Sequence, residues 1–418
     1  MSVIRFGTDG WRAIIAREFT FDHVRSVAQA FSEFIKEACQ SLSGIAVSYD
    51  TRFMSDQFAR SVAEVIASNQ IPVLLSRQFT PTPVLSYAVK HFQLNAGLMI
   101  TASHNPYHYN GIKFKSEYGG PVPVSMTQNI EKRLWIHNQQ VNEKYINHYL
   151  QHVDFFEGYQ KHLNHYINID RIRFFRGKIV IDPMHGAGCG YLGALIGQFG
   201  LKPIAIHDTP DVTFGGLQPE PIFPHLNELA QSVISNRAAV GLAVDGDADR
   251  FGVIDGNGQF VQIHDLLPIL FEYLIKSRGW KGHVVRTSSM ADTIDQMAEQ
   301  YHRSVWEVPV GFKNVAEKML TEDTLIGGEE SGGYGFRGHV LERDGILAGL
   351  YFLDFMLRTG KKPSELLEHL YRQVGPHYYR RIDTEFPEKE RPAIIKRLPA
   401  SLLTCSRTYI WLYLYPAL

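Results

Sequence analysis

Three successive, similar α/β domains facing one cleft are the architecture this sequence predicts, and three observations predict it. Its 418 residues exceed what one hydrophobic core normally serves, so the length implies about two to four domains. Short apolar runs alternate with stretches of helical spacing along most of the chain, the pattern of βαβ units. Three times, a polar cluster follows directly on an apolar run, which is where open α/β sheets place their ligands. Residue identity between the three units is too weak to establish duplication.

In the first unit, predicted over 1–150, Ile45–Tyr49 reads as a strand, Ser55–Asn69 as a helix and Ile71–Leu75 as a strand again. Ala96–Ile100 is a further strand that runs into Thr101-Ala102-Ser103-His104-Asn105-Pro106, and Ser125–Trp135 has helical spacing. The second unit, 151–256, repeats the alternation with strand Lys178–Asp182, helix Tyr191–Phe199, strand Lys202–Ile206, helix Asn227–Ser235 and strand Val240–Val244. Its loop Pro183–Gly188 could cradle a phosphate, but the glycine spacing is not a dinucleotide fingerprint, and a plain strand-to-helix turn is the simpler reading. Asp-Gly and Asn-Gly steps between Gly252 and Phe260 mark a hairpin. In the third unit, 257–375, helices Leu266–Lys276 and Asp292–Tyr301 alternate with strands His283–Arg286, Val305–Val308 and Thr324–Gly327, and the apolar helix Gly345–Leu357 closes it.

Composition excludes several function classes. With 44% hydrophobic residues, 20% charged residues and a formal net charge of -1, the chain has no electrostatic lean toward nucleic acid or a membrane surface, so an anionic ligand must be caught locally. Cys39, Cys189 and Cys405 are far apart and odd in number, which argues against a disulfide framework and for a reducing compartment. Neither a leader-like apolar core at the start nor a span of about 18 apolar residues is present. The expected location is cytoplasmic.

The most informative stretch is Asp245-Gly246-Asp247-Ala248-Asp249-Arg250, directly behind the apolar run Val240–Val244. Three carboxylates this close, if buried, repel one another and destabilise the fold unless a cation offsets them. Oxygen ligands suit a hard divalent ion, and Mg²⁺ commonly keeps positions open for water or a phosphate oxygen. The plainer alternative is an acidic surface turn, since Asp and Gly are turn formers. An EF-hand loop fits poorly, because its twelfth position, counted from Asp245, holds Gly256 rather than a bidentate Glu.

The other clusters are ambiguous taken singly. Ser103 is a hydroxyl in a polar loop that His104 or Lys113 could activate; taken alone, a turn residue bonding its own backbone is the favoured reading. Glu329, Glu330 and Ser331, set between glycines, suit the hydroxyls of a sugar, or form a solvated loop. Arg12 is a planar donor able to pair with a phosphate, or an exposed arginine in a turn. No Gly-x-Ser-x-Gly elbow supports a hydrolase triad.

Together these clusters resemble the α-D-phosphohexomutases, specifically the phosphoglucomutase/phosphomannomutase group. The resemblance rests on FGTDGWR at 6–12, TASHNP at 101–106, NGIKF at 110–114, DGDADR at 245–250 and GEESGG at 328–333, in the family's order. PEPIFPHL at 219–226, PVGFK at 309–313 and ERDGIL at 342–347 extend it nearly to residue 375. It implies three α/β/α sandwich domains around a central cleft, followed by a fourth, α+β domain. It also implies that Ser103 carries a phosphoryl group and that Asp245, Asp247 and Asp249 hold Mg²⁺ together with an oxygen of that group. A hexose 1-phosphate would become a hexose 6-phosphate through a bound hexose 1,6-bisphosphate, which also serves as activator. Glu329 and Ser331 would bind the sugar; Arg12, His104, Lys113 and Arg250 would surround the reacting phosphate, with Lys113 the preferred proton carrier. Lys313 and Arg343 are assigned to substrate contact, Arg343 because arginine is a poor proton shuttle. The implied partners are small hexose phosphates, and the expected assembly is a monomer or dimer.

Glucose 1-phosphate is the expected substrate, with mannose as an alternative. The phosphoglucosamine branch, where Asp-Gly-Asp-Gly-Asp-Arg and Gly-Glu-Gln-Ser-Gly-His are more usual, is less favoured. A Mg²⁺-dependent phosphatase is disfavoured because a serine, not an aspartate, holds the nucleophile position. The family's fourth-domain loop, of Arg-x-Ser-Gly-Thr-Glu-Pro type, has no match after residue 375. Residues 376–418 are therefore expected to be a remnant of that domain, with a first strand over 378–382, a helix over 385–398, and an aromatic tail produced by truncation or frameshift. Low mutase activity, or a sugar-phosphate-binding homologue without turnover, is the corresponding expectation.

Overall fold

The computed structural model describes residues 4–379 apart from 8, 140 and 168–174, together with 384–387, 390, 393 and 414–417. The first sheet contains β1 (Trp11–Ile14), β2 (Ile45–Tyr49), β3 (Val73–Ser76), β4 (Ala96–Ile100), β5 (Tyr109–Ser116) and β6 (Leu150–Val153), ordered β1-β5-β4-β2-β3-β6. Around it lie α1 (Phe21–Ala38), α2 (Ser55–Ser68), α3 (Thr82–His91), α4 (Val124–Glu131) and α5 (Glu143–Tyr149), and α6 (Phe156–Leu163) leads onward. The second sheet, ordered β11-β10-β9-β7-β8, is built from β7 (Ile179–Asp182), β8 (Ile204–Ala205), β9 (Val240–Val244), β10 (Phe251–Asp255) and β11 (Phe260–Val261), with α7 (Tyr191–Gln198) and α8 (Asn227–Asn236). The third has β12 (His283–Thr287), β13 (Val305–Val308), β14 (Thr324–Gly328) and β15 (Tyr334–Phe336) in the order β13-β12-β14-β15. Its helices are α9 (Ile263–Glu272), α10 (Thr293–Gln300), α11 (Phe312–Thr321), α12 (Gly345–Thr359) and α13 (Pro363–Val374).

One structural device recurs in all three sheets. A fully buried strand with a parallel neighbour turns back into an antiparallel one: β4 into β5, β9 into β10, β14 into β15. Buried on both faces, β4, β9 and β14 are apolar or glycine at nearly every position rather than alternating, as parallel sheets require. The turn after each is one of the three polar clusters. Equivalent connections of three sheets therefore supply the serine, the aspartates and the glutamate.

A shared core fixes these connections relative to one another. Helices α1, α2 and α4 close one face of the first sheet around Phe31, Phe58, Val62 and Ile130. On its other face, Val84, Leu85 and Val89 of α3 belong to a cluster that continues through Leu242 and Val244 to Leu266, Ile346 and Leu350 of the third unit. Burying apolar area at roughly 25 cal/mol per Å² makes such a continuous cluster a strong tie between units.

Some element limits differ from expectation. The helix expected to Trp135 ends at Glu131. The strand expected over Lys202–Ile206 is reduced to Ile204–Ala205. Past α13, β16 (Thr384–Pro387) pairs parallel with β17 (Leu414–Ala417). Residues 384–387 are thus strand where the helix over 385–398 was expected to begin. Pro387 disfavours helix at that point, removing a backbone donor and restricting the residue before it. Of the rest of that expected helix only Glu390 and Ala393 are described, the first in a 3-10 turn and the second α-helical; the other residues to 398, and most of the strand expected over 378–382, lie outside the described residues.

Candidate active site

The serine loop is shaped by its own backbone and by one polar layer beneath it. Ser103 adopts φ +54°, a left-handed conformation uncommon for a residue with a side chain and a mark of functional loops. Its N–H donates to Thr101 Oγ1 at 2.8 Å, and the Thr101 hydroxyl donates to Asp50 Oδ2 at 2.6 Å. Ser103 Oγ is thereby directed across the domain boundary, donating to Asp245 Oδ2 at 2.9 Å. The approach requires a glycine at 246, because a Cβ there would lie 2.5 Å from the Ser103 carbonyl oxygen.

Asp245, Asp247 and Asp249 are fully buried, and one oxygen from each lies within 4.8 Å of the others. Asp245 Oδ1 accepts the N–H groups of Asp249 at 2.9 Å and Arg250 at 3.0 Å, which folds the loop back on itself. Asp247 Oδ2 accepts from Thr82 Oγ1 at 2.6 Å and Lys113 Nζ at 2.7 Å. Lys113 Nζ also donates to Asp249 Oδ2 at 2.8 Å. Asp247 Oδ1 and Asp249 Oδ1 are buried without a hydrogen-bond partner. Orphaned carboxylate oxygens are costly, and a buried carboxylate triad that keeps two of them unpaired fits a hard divalent cation.

Burial, then the charges of Asp249 and Asp247, push the Asp245 carboxyl well above the usual range, against Arg250 and Lys113. Burial alone would raise Asp247 as well, but Lys113, Thr82 and Arg343 outweigh it and hold that group low. For Lys113, burial favours the neutral amine, yet Asp247, Asp249 and Asp9 overcome it and raise its pKa. Adjacent carboxylates with opposed shifts are a common signature of functional sites.

The third unit contributes from above. Arg343 Nη2 lies 2.7 Å from both Asp249 Oδ2 and Asp9 Oδ2, while Nη1 donates to Glu329 Oε2 at 3.2 Å. Burial pushes Glu329 up to about 7, with Arg343 opposing. Ser331 Oγ is buried without a partner. Glu330 turns the other way, accepting from Thr287 and Ser289 of its own unit. The Phe251 N–H donates to Gly332 O at 2.9 Å, which joins the glutamate loop to the aspartate loop.

Of the remaining predicted residues, Arg12 sits on β1 opposite Gly111, with Nη1 donating to Asn105 Oδ1 at 2.7 Å. His104 is buried next to Ser103. Arg250 Nη1 donates to Glu220 Oε1 at 3.0 Å. Lys313 lines a small space beside Asp9 and Gly10, and no ion pair joins it to the aspartates among the described residues. Sequence reasoning did not single out Asp9, Thr82, Lys115, Glu220 or Glu342, although Lys115 pairs with Glu342 and lies 3.9 Å from Asp9. Asp9, Glu220 and Glu342 stand inside motifs already quoted, so their signal was present. Asp50 and Arg52, placed after a strand like the other clusters, were also passed over.

A buried hydroxyl of the first unit beside a buried carboxylate triad of the second, with cations of all three units and the glutamate loop of the third converging on them, defines a phosphoryl-transfer enzyme built on repeated α/β domains. Family models for phosphoglucomutase/phosphomannomutase α/β/α domains I, II and III match residues 3–140, 157–258 and 263–374. The chain belongs to the phosphoglucomutase/phosphomannomutase family and is a phosphohexomutase, an enzyme of the isomerase class.

A phosphoglucomutase/phosphomannomutase of Thermococcus kodakarensis is 30% identical over 94% of this chain and 85% of its own length. A phosphoglucosamine/phosphogalactosamine mutase of Sulfurisphaera tokodaii is 30% identical over 90% of this chain and 81% of its own. A crystal structure of a candidate phosphomannomutase from Thermus thermophilus superposes with TM-score 0.83 at 34% identity, covering 90% of this chain and 84% of that one. The fold is also shared, at 14% identity, with an N-acetylphosphoglucosamine mutase of Aspergillus fumigatus, TM-scores 0.57 and 0.54. That enzyme was solved with GlcNAc-6P and magnesium, covering 88% of this chain and 80% of that one, and with glucose 1,6-bisphosphate, covering 88% and 79%. The relatives act on different sugars, so likeness alone leaves the hexose unresolved.

Proposed function

We propose that this enzyme interconverts glucose 1-phosphate and glucose 6-phosphate, with mannose phosphates as alternative substrates, by way of a phosphorylated Ser103. The observation that carries the proposal is the 2.9 Å contact between Ser103 Oγ and Asp245 Oδ2, which sets the hydroxyl of the serine motif against the acidic triad. Ser103 gives its phosphoryl group to one hydroxyl of the hexose phosphate and recovers the other phosphate from the bound hexose 1,6-bisphosphate after that intermediate has turned over. Asp245, Asp247 and Asp249 would hold Mg²⁺, whose charge would offset that of the transferring group. Arg12, His104, Lys113 and Arg250 would surround the reacting phosphate, with Lys113 the preferred proton carrier. Glu329 and Ser331 accept and orient sugar hydroxyls, and Arg343 and Lys313 contact substrate. In this reading residues 1–150 carry the serine, 151–256 the metal ligands and 257–375 the sugar loop, and the enzyme works in the cytoplasm. A coupled assay comparing glucose, mannose and glucosamine 1-phosphates, with mass spectrometry of the Ser103 peptide, tests it. Unmodified Ser103 after exposure to glucose 1,6-bisphosphate, or preference for the glucosamine substrate, would overturn the corresponding part.

A further inference from the structure

Beneath the serine loop lies a buried guanidinium whose donors are nearly all directed at that loop. Arg52 is 2% exposed. Its Nη2 donates to Ser103 O and Asn105 O, each at 2.6 Å, and its Nη1 to Pro106 O at 2.8 Å and Tyr109 O at 3.0 Å. Only Nε turns elsewhere, donating to Asp50 Oδ2 at 3.1 Å. Asp50 is itself fixed, accepting from Thr101 Oγ1, Ser55 Oγ and the Arg52 N–H. A simple buried ion pair would need one edge of the guanidinium. Here the other edges gather four carbonyls of the connection from β4 into β5, in which Ser103 sits at φ +54°, a conformation that persists only where its surroundings over-determine it.

The same residue references the loop to the unit that carries the aspartates. The Arg52 guanidinium lies 4.8 Å from the Phe214 ring centroid, and Thr51 Oγ1 donates to His185 O at 3.0 Å. The Ser103 carbonyl is therefore held between Arg52 on one side and Gly246 on the other. Arg52 makes no hydrogen bond to Ser103 Oγ, so it acts through the backbone.

From this we infer that Arg52 is a positioning residue for the transfer reaction, fixing the Ser103 hydroxyl against Asp245, with Asp50 orienting the guanidinium. The inference rests on the reading of Ser103 as the phosphoryl carrier. A lysine at 52 keeps the charge but has no planar fork to collect four carbonyls. A displacement of about 1 Å in a reacting group costs on the order of 100-fold in rate.

The test uses the full-length protein with Mg²⁺ and measures phosphate uptake by Ser103 from glucose 1,6-bisphosphate in wild type, Arg52→Lys and Arg52→Ala, alongside melting temperature and KM for glucose 1-phosphate. Expected are a fall of about 100-fold in uptake for Arg52→Lys with KM and the Mg²⁺-induced rise in melting temperature kept. Guanidinium chloride at sub-denaturing concentration is expected to restore Arg52→Ala at least about tenfold beyond matched ammonium chloride. Wild-type uptake in Arg52→Lys overturns the inference. So does loss that guanidinium does not rescue and that tracks melting temperature, since that pattern is a folding defect. If wild type itself takes up no phosphate on Ser103, the proposed function fails first, which separates the two.

Discussion

Ser103 and Asp245 stand at equivalent places in two different sheets, after β4 and after β9, and the Ser103 hydroxyl bridges them by donating to Asp245 Oδ2 across 2.9 Å. If that hydroxyl carries the phosphoryl group, Ser103→Ala should take up no phosphate from glucose 1,6-bisphosphate and lose mutase activity by about 10³-fold or more. Folding should suffer little, on the order of 1 kcal/mol for one hydrogen bond. Intact-mass spectrometry and denaturant unfolding read the two effects. Phosphate retained elsewhere in the variant would move the carrier role off Ser103.

Asp245→Asn should separate the cost of the acidic cluster from its use. Burial and its two acidic neighbours already disfavour the Asp245 carboxylate, so a neutral amide relieves repulsion, and the metal-free variant should melt at or above wild type. Wild type should gain stability as millimolar MgCl₂ is added, because an ion bound only by the folded state stabilises it; the variant should gain little. An equal gain in both proteins would place Mg²⁺ elsewhere.

What the sequence made legible follows from what is local. Strands β2, β4 and β9 are buried on both faces and stand out as apolar runs; the acidic stretch is contiguous and declares itself. The pairing of Arg343 with Asp9 spans 334 residues, and no local pattern predicts it. That Lys113 faces Asp247 and Asp249 depends on how the first sheet packs on the second, which is equally non-local. By contrast, α1 was readable and went unread: Thr20 caps it by accepting from the His23 N–H, and Val24, Val27, Phe31 and Ile35 are buried along one face. Asp50 and Arg52 after β2 repeat the strand-then-polar pattern seen three times elsewhere.

Lys113→Ala should show two separable defects. Without metal, Asp247 and Asp249 lose their shared buried donor, and breaking a buried pair commonly costs about 3–5 kcal/mol; Mg²⁺ should recover much of that loss. With Mg²⁺ present, single-turnover transfer from phosphorylated Ser103 should still be slower by about 10²-fold. An unchanged transfer step with normal substrate binding would remove Lys113 from the chemistry and leave it as a counter-charge.

The second unit also carries a pH-sensitive element outside the acidic triad. His207 Nδ1 lies 3.0 Å from Asp182 Oδ1 and its Nε2 3.1 Å from Glu228 Oε2, with the His185 ring centroid at 4.8 Å. The hydrogen bond to Asp182, against burial, raises the His207 pKa from 6.5 to about 9. A raised histidine stabilises the fold fully below its unfolded pKa, about 6.5, and that contribution is lost as pH rises through about 9. Burial raises the Cys189 thiol, so only its unfolded form ionises at the alkaline end, which adds a further loss of stability above about pH 8.5 that wild type and a His207 variant share. Wild type should therefore melt progressively lower as pH is taken from about 6.5 to 9.5. His207→Gln keeps hydrogen-bonding capacity without the charge and should flatten that slope while lowering stability at the acidic end. Parallel slopes for the two proteins would show that His207 titrates near its ordinary value and that the Asp182–His207–Glu228 bridge is not charged at neutral pH.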